Sequence, residues 1–344
     1  MEKAGLYIHI PFCASKCPYC DFYSGKYTNE AAENYASELI EEFCKYSGAE
    51  FDTVYFGGGT PSILQPQLIA KILEAARKNF KIADNSEITI ECNPSKDLKE
   101  DIAVYAGHGI NRISLGMQSA VKEERQALGR IAGKAEIERT LKYARNNNIK
   151  NISLDLMLGT PKQSLQSLDE SLNFIADSGV PHISAYMLKI EDGTPFYRLK
   201  DRLPLPNEDE TAEMYLKTVD RLESMGIMQY EISNFAKAGF ESRHNIKYWK
   251  LAPYLGLGKS AHSFWGGKRF HYDADFNKID DGTGGDAEEQ IMLGLRLKSG
   301  IDEALLKADV SAYVSAGFME RRGSKINFTP KGFLVSNTII SELI

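Results

Sequence analysis

The chain has 344 residues, of which 43% are hydrophobic and 26% charged, with a formal net charge of −6. That balance excludes a disordered or collagen-like chain and leaves no electrostatic case for nucleic acid or an anionic membrane. Five cysteines, three of them between residues 13 and 20, do not make the disulfide framework of a small secreted domain. No apolar run reaches the ~18 residues that span a bilayer, and "MEKAGLYIHI" has the wrong flanks for a signal peptide, so a cytoplasmic protein is expected.

In chain order, short β-like runs alternate with helical patterns. Strands are expected at 5–11, 52–58, 87–94, 112–119, 151–159 and 182–190, with helices such as "NEAAENYASELIEEFCKYS" and "QPQLIAKILEAARKNF" between them. Strand, helix, strand in that order calls for parallel strands joined by crossovers. The fold class is therefore α/β, and six such units make a partial (β/α)6 TIM-like barrel. Along each strand one face is apolar and the other polar: Ile88, Ile90 and Cys92 against Glu87, Thr89, Glu91 and Asn93, and Leu154, Leu156 and Leu158 against Ser153, Asp155 and Met157. A parallel strand buried on both faces reads as a continuous apolar run. The polar faces are expected to line a ligand cavity, the alternative being a solvent-exposed antiparallel sheet.

Residues 1–226 form the expected core domain. Residues 191–209 read as a long loop ending at a helix with Asn207 as N-cap and Glu210 three on. Residues 227–285 read as an aromatic-rich extension of strands and loops, with 273–286 as linker. Residues 286–344 read as a small C-terminal α+β, winged-helix-like module without a basic stripe.

Cys13, Cys17 and Cys20 form C-x3-C-x2-C on a loop directly after the first strand. A structural zinc site and a fully thiolate-ligated cubane both need four ligands. Three thiols leave either a cluster with one open iron or a zinc site with a distant fourth ligand such as His9. "GGGTPS" at 57–62 lacks the spacing of a P-loop or a dinucleotide fingerprint, and lets backbone approach a ligand with no Cβ in the way. Cys44 and Cys92 read as small buried hydrophobes.

The cysteine triplet followed by this glycine segment resembles the radical S-adenosylmethionine (SAM) superfamily. "LYIHIPFCASKCPYCDFYSG", "GGGTPS", "GMQS" and "DLMLGTP" resemble its anaerobic coproporphyrinogen-III oxidase-like family over essentially the whole chain. That resemblance implies a radical SAM barrel with a 4Fe–4S cluster on Cys13, Cys17 and Cys20 and SAM as its exchangeable ligand. It implies SAM contacts from Tyr7, Tyr19, Gly58, Gly59, Thr60, Glu91, Gln118, Arg130 and Asp155. The family's oxidases carry a fourth cysteine where this chain has Phe22, which points to the HemW-type haem-chaperone subgroup.

"RHNIKYWK" at 243–250 matches that subgroup's HNxxYW motif, so His244, Tyr248 and Trp249 are implied haem contacts, with His262 as a rival ligand. His9, His108, His182 and His271 are expected to be structural or surface residues. The implied function is delivery of haem to an acceptor protein, with an electron donor for the cluster, a homodimer, and no nucleic acid or membrane span. Oxidative decarboxylation of coproporphyrinogen III is the enzymatic alternative. An RNA-modifying enzyme would need a basic module that this chain lacks.

Overall fold

The computed structural model describes residues 3–94 and 97–344. Six parallel strands stand side by side in chain order: β1 (Ala4–Ile10), β2 (Glu50–Gly58), β3 (Lys81–Cys92), β4 (Arg112–Gln118), β5 (Asn151–Leu158) and β6 (His182–Met187). Leu6, Ile8, Ile10, Val54, Phe56, Ile90, Leu115, Leu154 and Leu156 are buried under the helical layer. The barrel core therefore lies between sheet and helices, and the lumen keeps the polar face. β3 begins six residues earlier than its apolar pattern, because Lys81 and Ile82 pair with Glu50 and Phe51 across a register shift.

The segment after residue 227 joins both edges of this sheet. Asn234–Ala236 pairs antiparallel with β6, and Tyr254–Leu257 pairs parallel with β1. Between them the chain crosses the N-terminal end of the barrel as a helix, Arg243–Trp249, in a region expected to be strand and loop. Ser242 caps this helix, and the Glu87 carboxylate accepts from the amides of Arg243 and His244 at 3.2 and 3.1 Å. A carboxylate from β3 thus anchors the helix start across the lumen.

Tyr254–Leu257 is followed by an antiparallel ribbon of His262–Trp265, Lys268–Tyr272 and Lys278–Thr283. The last of these corrects the linker expected at 273–286. Its residues are all exposed and mostly polar, so no apolar alternation marked it, and its charges suit an edge strand.

The C-terminal residues form a three-stranded sheet ordered Ile301–Asp302, Lys325–Phe328, Met319–Arg322, flanked by helices. Asn207 caps Glu208–Ser224 with Glu210 in a capping box, and the loop before it contains a short helix, Pro195–Leu199. Among the described residues no helix is long and apolar enough to cross a membrane.

Candidate functional site

The C-terminal ends of the strands open on a cavity of about 510 Å³. Cys13, Cys17 and Cys20 line it on one side and Gly58, Gly59 and Thr60 on the next. The lumen face supplies Glu91, Gln118 and Asp155, and Arg130 and Tyr19 close the far wall. This is the end of a parallel barrel where ligands bind.

Two backbone hydrogen bonds and one side-chain contact hold the cysteine loop to the glycine turn. Gly59 N donates to Ile10 O at 2.9 Å, Thr60 N donates to Phe12 O at 2.8 Å, and the Cys13 sulphur lies 3.5 Å from Thr60 Oγ1. Gly58 has φ +115, and a Cβ there would lie 2.7 Å from the His9 ring. Both constraints require glycine.

All three loop cysteines are free and partly exposed. Three thiols lining the cavity fit a 4Fe–4S cluster that would keep one iron without a protein ligand. His9 does not supply a fourth ligand: it is 5% exposed, with Nδ1 3.1 Å from the Tyr7 hydroxyl and Nε2 3.3 Å from the Tyr23 carbonyl. Phe22 is 63% exposed on the cavity rim.

The polar wall is held in place before any ligand arrives. Tyr55 donates to Glu91 Oε1 at 2.9 Å, and Ser114 donates to Asp155 Oδ1 at 3.0 Å. Burial, with Asp155 adding to it, pushes the Glu91 carboxyl up to about 7. Burial also raises Asp155. Gln118 has φ +64 at a register shift in β4, and its Oε1 accepts from the Tyr186 hydroxyl at 3.1 Å. Such backbone strain is tolerated where it positions a functional group. Arg130 donates from Nε and Nη2 to the Tyr19 hydroxyl at 3.3 and 3.1 Å, which fixes the guanidinium fork in the cavity.

Tyr7 lies outside this cavity. It lines a deeper one of about 290 Å³ with Tyr55, Glu91, Asn234, Asn245, Tyr248 and Trp249. His244 sits beneath, 1% exposed, with Nδ1 2.8 Å from Thr53 Oγ1 and Nε2 2.8 Å from the Tyr248 hydroxyl. Burial, then Lys247, lowers its pKa to about 3, so the ring is neutral. His262 is exposed on the ribbon, paired opposite His271.

Sequence reasoning missed Tyr55, Ser184 and Tyr186 as cavity residues, although their strand parity could have found them. Asn234 carried no such signal, because it arrives on the segment after residue 227, and Asn245 was legible only as part of the HNxxYW motif. Cys92 is buried as expected, but Cys44 is exposed, one residue past the helix Asn29–Phe43 and off its buried stripe.

A barrel of parallel strands with three loop thiols beside a glycine turn and a polar lumen defines a radical SAM protein. The Radical SAM superfamily description matches residues 7–175. The fold is also that of the solved coproporphyrinogen III oxidase (HemN) from Escherichia coli, a radical SAM enzyme. That structure aligns with TM-score 0.83 over 99% of this chain and 90% of that one, at 21% identity. Heme chaperone HemW of Bacillus subtilis (strain 168) is 32% identical over 98% of both chains. HemW of Escherichia coli (strain K12) is 37% identical over 76% of this chain and 70% of its own. The chain belongs to the HemW family of radical SAM proteins. Membership brings a 4Fe–4S cluster and SAM as cofactors.

Proposed function

We propose that this protein is a haem chaperone: it binds a 4Fe–4S cluster, SAM and one haem, and passes the haem to an acceptor protein. The observation that carries the reading is the end-to-end likeness to relatives named as haem chaperones. The exposed Phe22 on the rim supports it, since no further thiol stands there.

Cys13, Cys17 and Cys20 would hold the cluster. When bound and reduced, the cluster supplies the electron that can cleave the SAM sulfonium. The backbone of Gly58, Gly59 and Thr60 would take the methionyl amino group, and the fixed fork of Arg130 its carboxylate. Glu91 and Asp155 would accept from the ribose hydroxyls, Gln118 would brace that wall, and Tyr19 would border the adenine. Tyr7 would act from the deeper cavity, through His9 and the loop carbonyl of Tyr23. An electron donor, a cytoplasmic location and a homodimer complete the proposal.

Haem contacts are proposed from His244, Tyr248 and Trp249. Ligation of iron by His244 requires the Tyr248 hydroxyl to leave Nε2 and the helix Arg243–Trp249 to expose the ring. Anaerobic haem titration followed by absorbance tests this. One haem per chain with a Soret band is expected, weakened in His244→Ala at unchanged cluster content. Haem retained in His244→Ala and lost in His262→Ala would move the ligand to the ribbon. No Soret band in the parent protein, or decarboxylation of coproporphyrinogen III with SAM under reducing conditions, would overturn the chaperone reading.

A further inference from the structure

The antiparallel ribbon carries a group of side chains of which only His262 enters the haem reading, as the rival to His244. His262 and His271 are directly opposed on neighbouring strands, and their rings stack with centroids 5.0 Å apart and planes 23° apart. The turn joining those strands is Gly266–Gly267, with φ +63 and +75, the left-handed pair that a two-residue hairpin demands. The next strand contributes Asp281. Arg269 pairs with Gly282 and Phe270 with Asp280, so Asp281 is the extra residue of a bulge. Bulges re-aim a side chain, and this one brings the carboxylate oxygens within 2.8 and 3.0 Å of His271 Nδ1.

One ligand atom from each of the three residues lies within 4.8 Å of the others. Among the described residues no hydrogen-bond partner occupies either ring nitrogen of His262 or Nε2 of His271. Phe270 and Tyr272 are buried and pin the central strand of the ribbon. The donors are therefore held in place on a braced sheet.

We propose that His262, His271 and Asp281 form a binding site for one divalent transition ion of the zinc class. Two imidazole nitrogens and a carboxylate suit Zn²⁺, Co²⁺, Ni²⁺ or Cu²⁺, and give Ca²⁺ or Mg²⁺ too few oxygens. The exposed side of the group leaves the remaining positions to water. Asp281 serves as a ligand, or holds the His271 ring with Nε2 towards the ion, as carboxylates do behind metal-bound histidines. The site rests on His244 rather than His262 being the haem ligand, and it contains no thiol.

The test is a Co²⁺ titration of untagged, cluster-loaded protein under anaerobic conditions, read by absorbance. One Co²⁺ per chain is expected, with d–d bands and no thiolate charge-transfer band. His262→Gln combined with His271→Gln should abolish those bands, while iron, labile sulfide and melting temperature stay unchanged. His262→Gln alone, at an exposed position, gives the same reading should the double variant fold poorly. Asp281→Asn should weaken binding roughly 10–100-fold. Unchanged Co²⁺ stoichiometry in the histidine variants, a charge-transfer band showing cysteine ligation alone, or no binding by the parent protein would each overturn the site.

Discussion

Gly59→Ala places one methyl group where the account leaves no room. Its Cβ would lie 2.6 Å from the Phe12 carbonyl oxygen and 3.0 Å from the Phe12 carbonyl carbon and amide nitrogen. That is roughly 1 Å inside the ~3.5 Å contact distance, against backbone rather than a yielding side chain. Relief must separate Phe12–Cys13 from the glycine turn and so stretch the Gly59–Ile10 and Thr60–Phe12 hydrogen bonds. Overpacking costs about 1–3 kcal/mol and each weakened bond about 0.5–1.5, which gives a loss of about 2–6 kcal/mol. Cys13 moves with Phe12, so cluster content falls as well. The assay is paired: thermal unfolding by circular dichroism, and iron per chain after anaerobic reconstitution. Gly107→Ala is the control, since its Cβ meets nothing within 4 Å at the end of a helix, and it should hold or gain up to about 1 kcal/mol. A Gly59→Ala protein with parental melting temperature and full iron would refute the coupling of glycine turn to cysteine loop.

The remaining predictions concern charge and hydrogen bonding. Glu91, raised to about 7, holds its proton in the free protein at pH 6, whereas the ribose hydroxyls need the carboxylate. SAM affinity should therefore rise from pH 6 to 8 and level off above, and calorimetry on Glu91→Gln should show that slope gone. For folding the sign is opposite: the folded state keeps this proton between about 4.5 and 7, so the group's contribution to stability falls as pH climbs through that window. Arg130→Lys retains the charge but loses the fork on Tyr19, and SAM binding should weaken roughly tenfold or more by equilibrium dialysis. His244→Ala leaves the Thr53 and Tyr248 hydroxyls without their shared ring and should cost about 2–4 kcal/mol in urea unfolding; a neutral result would mean the ring braces nothing.

The barrel was legible in the sequence because its two strand faces differ. Leu6, Ile8 and Ile10 belong under helices, and Glu91 and Asp155 belong in the lumen, so strand parity alone placed the cavity wall. The cysteine loop was equally legible, since three thiols in eight positions need no long-range information. What crosses the barrel was not. Arg243–Trp249 is only seven residues long, and its position depends on Glu87 in β3, more than 150 residues earlier in the chain. Lys278–Thr283 was hidden for the opposite reason: an exposed edge strand carries no apolar rhythm. The His262–His271–Asp281 group needed the register of three strands, which no spacing in the sequence specifies.

Metal and sulfide analysis of anaerobically reconstituted protein, with electron paramagnetic resonance of the reduced state before and after SAM is added, bears most directly on the open-cornered cluster. About four irons and four sulfides per chain are expected. The reduced signal should change on adding SAM and be lost in Cys17→Ala. Zinc in place of iron, or a four-iron signal indifferent to SAM, would contradict the account.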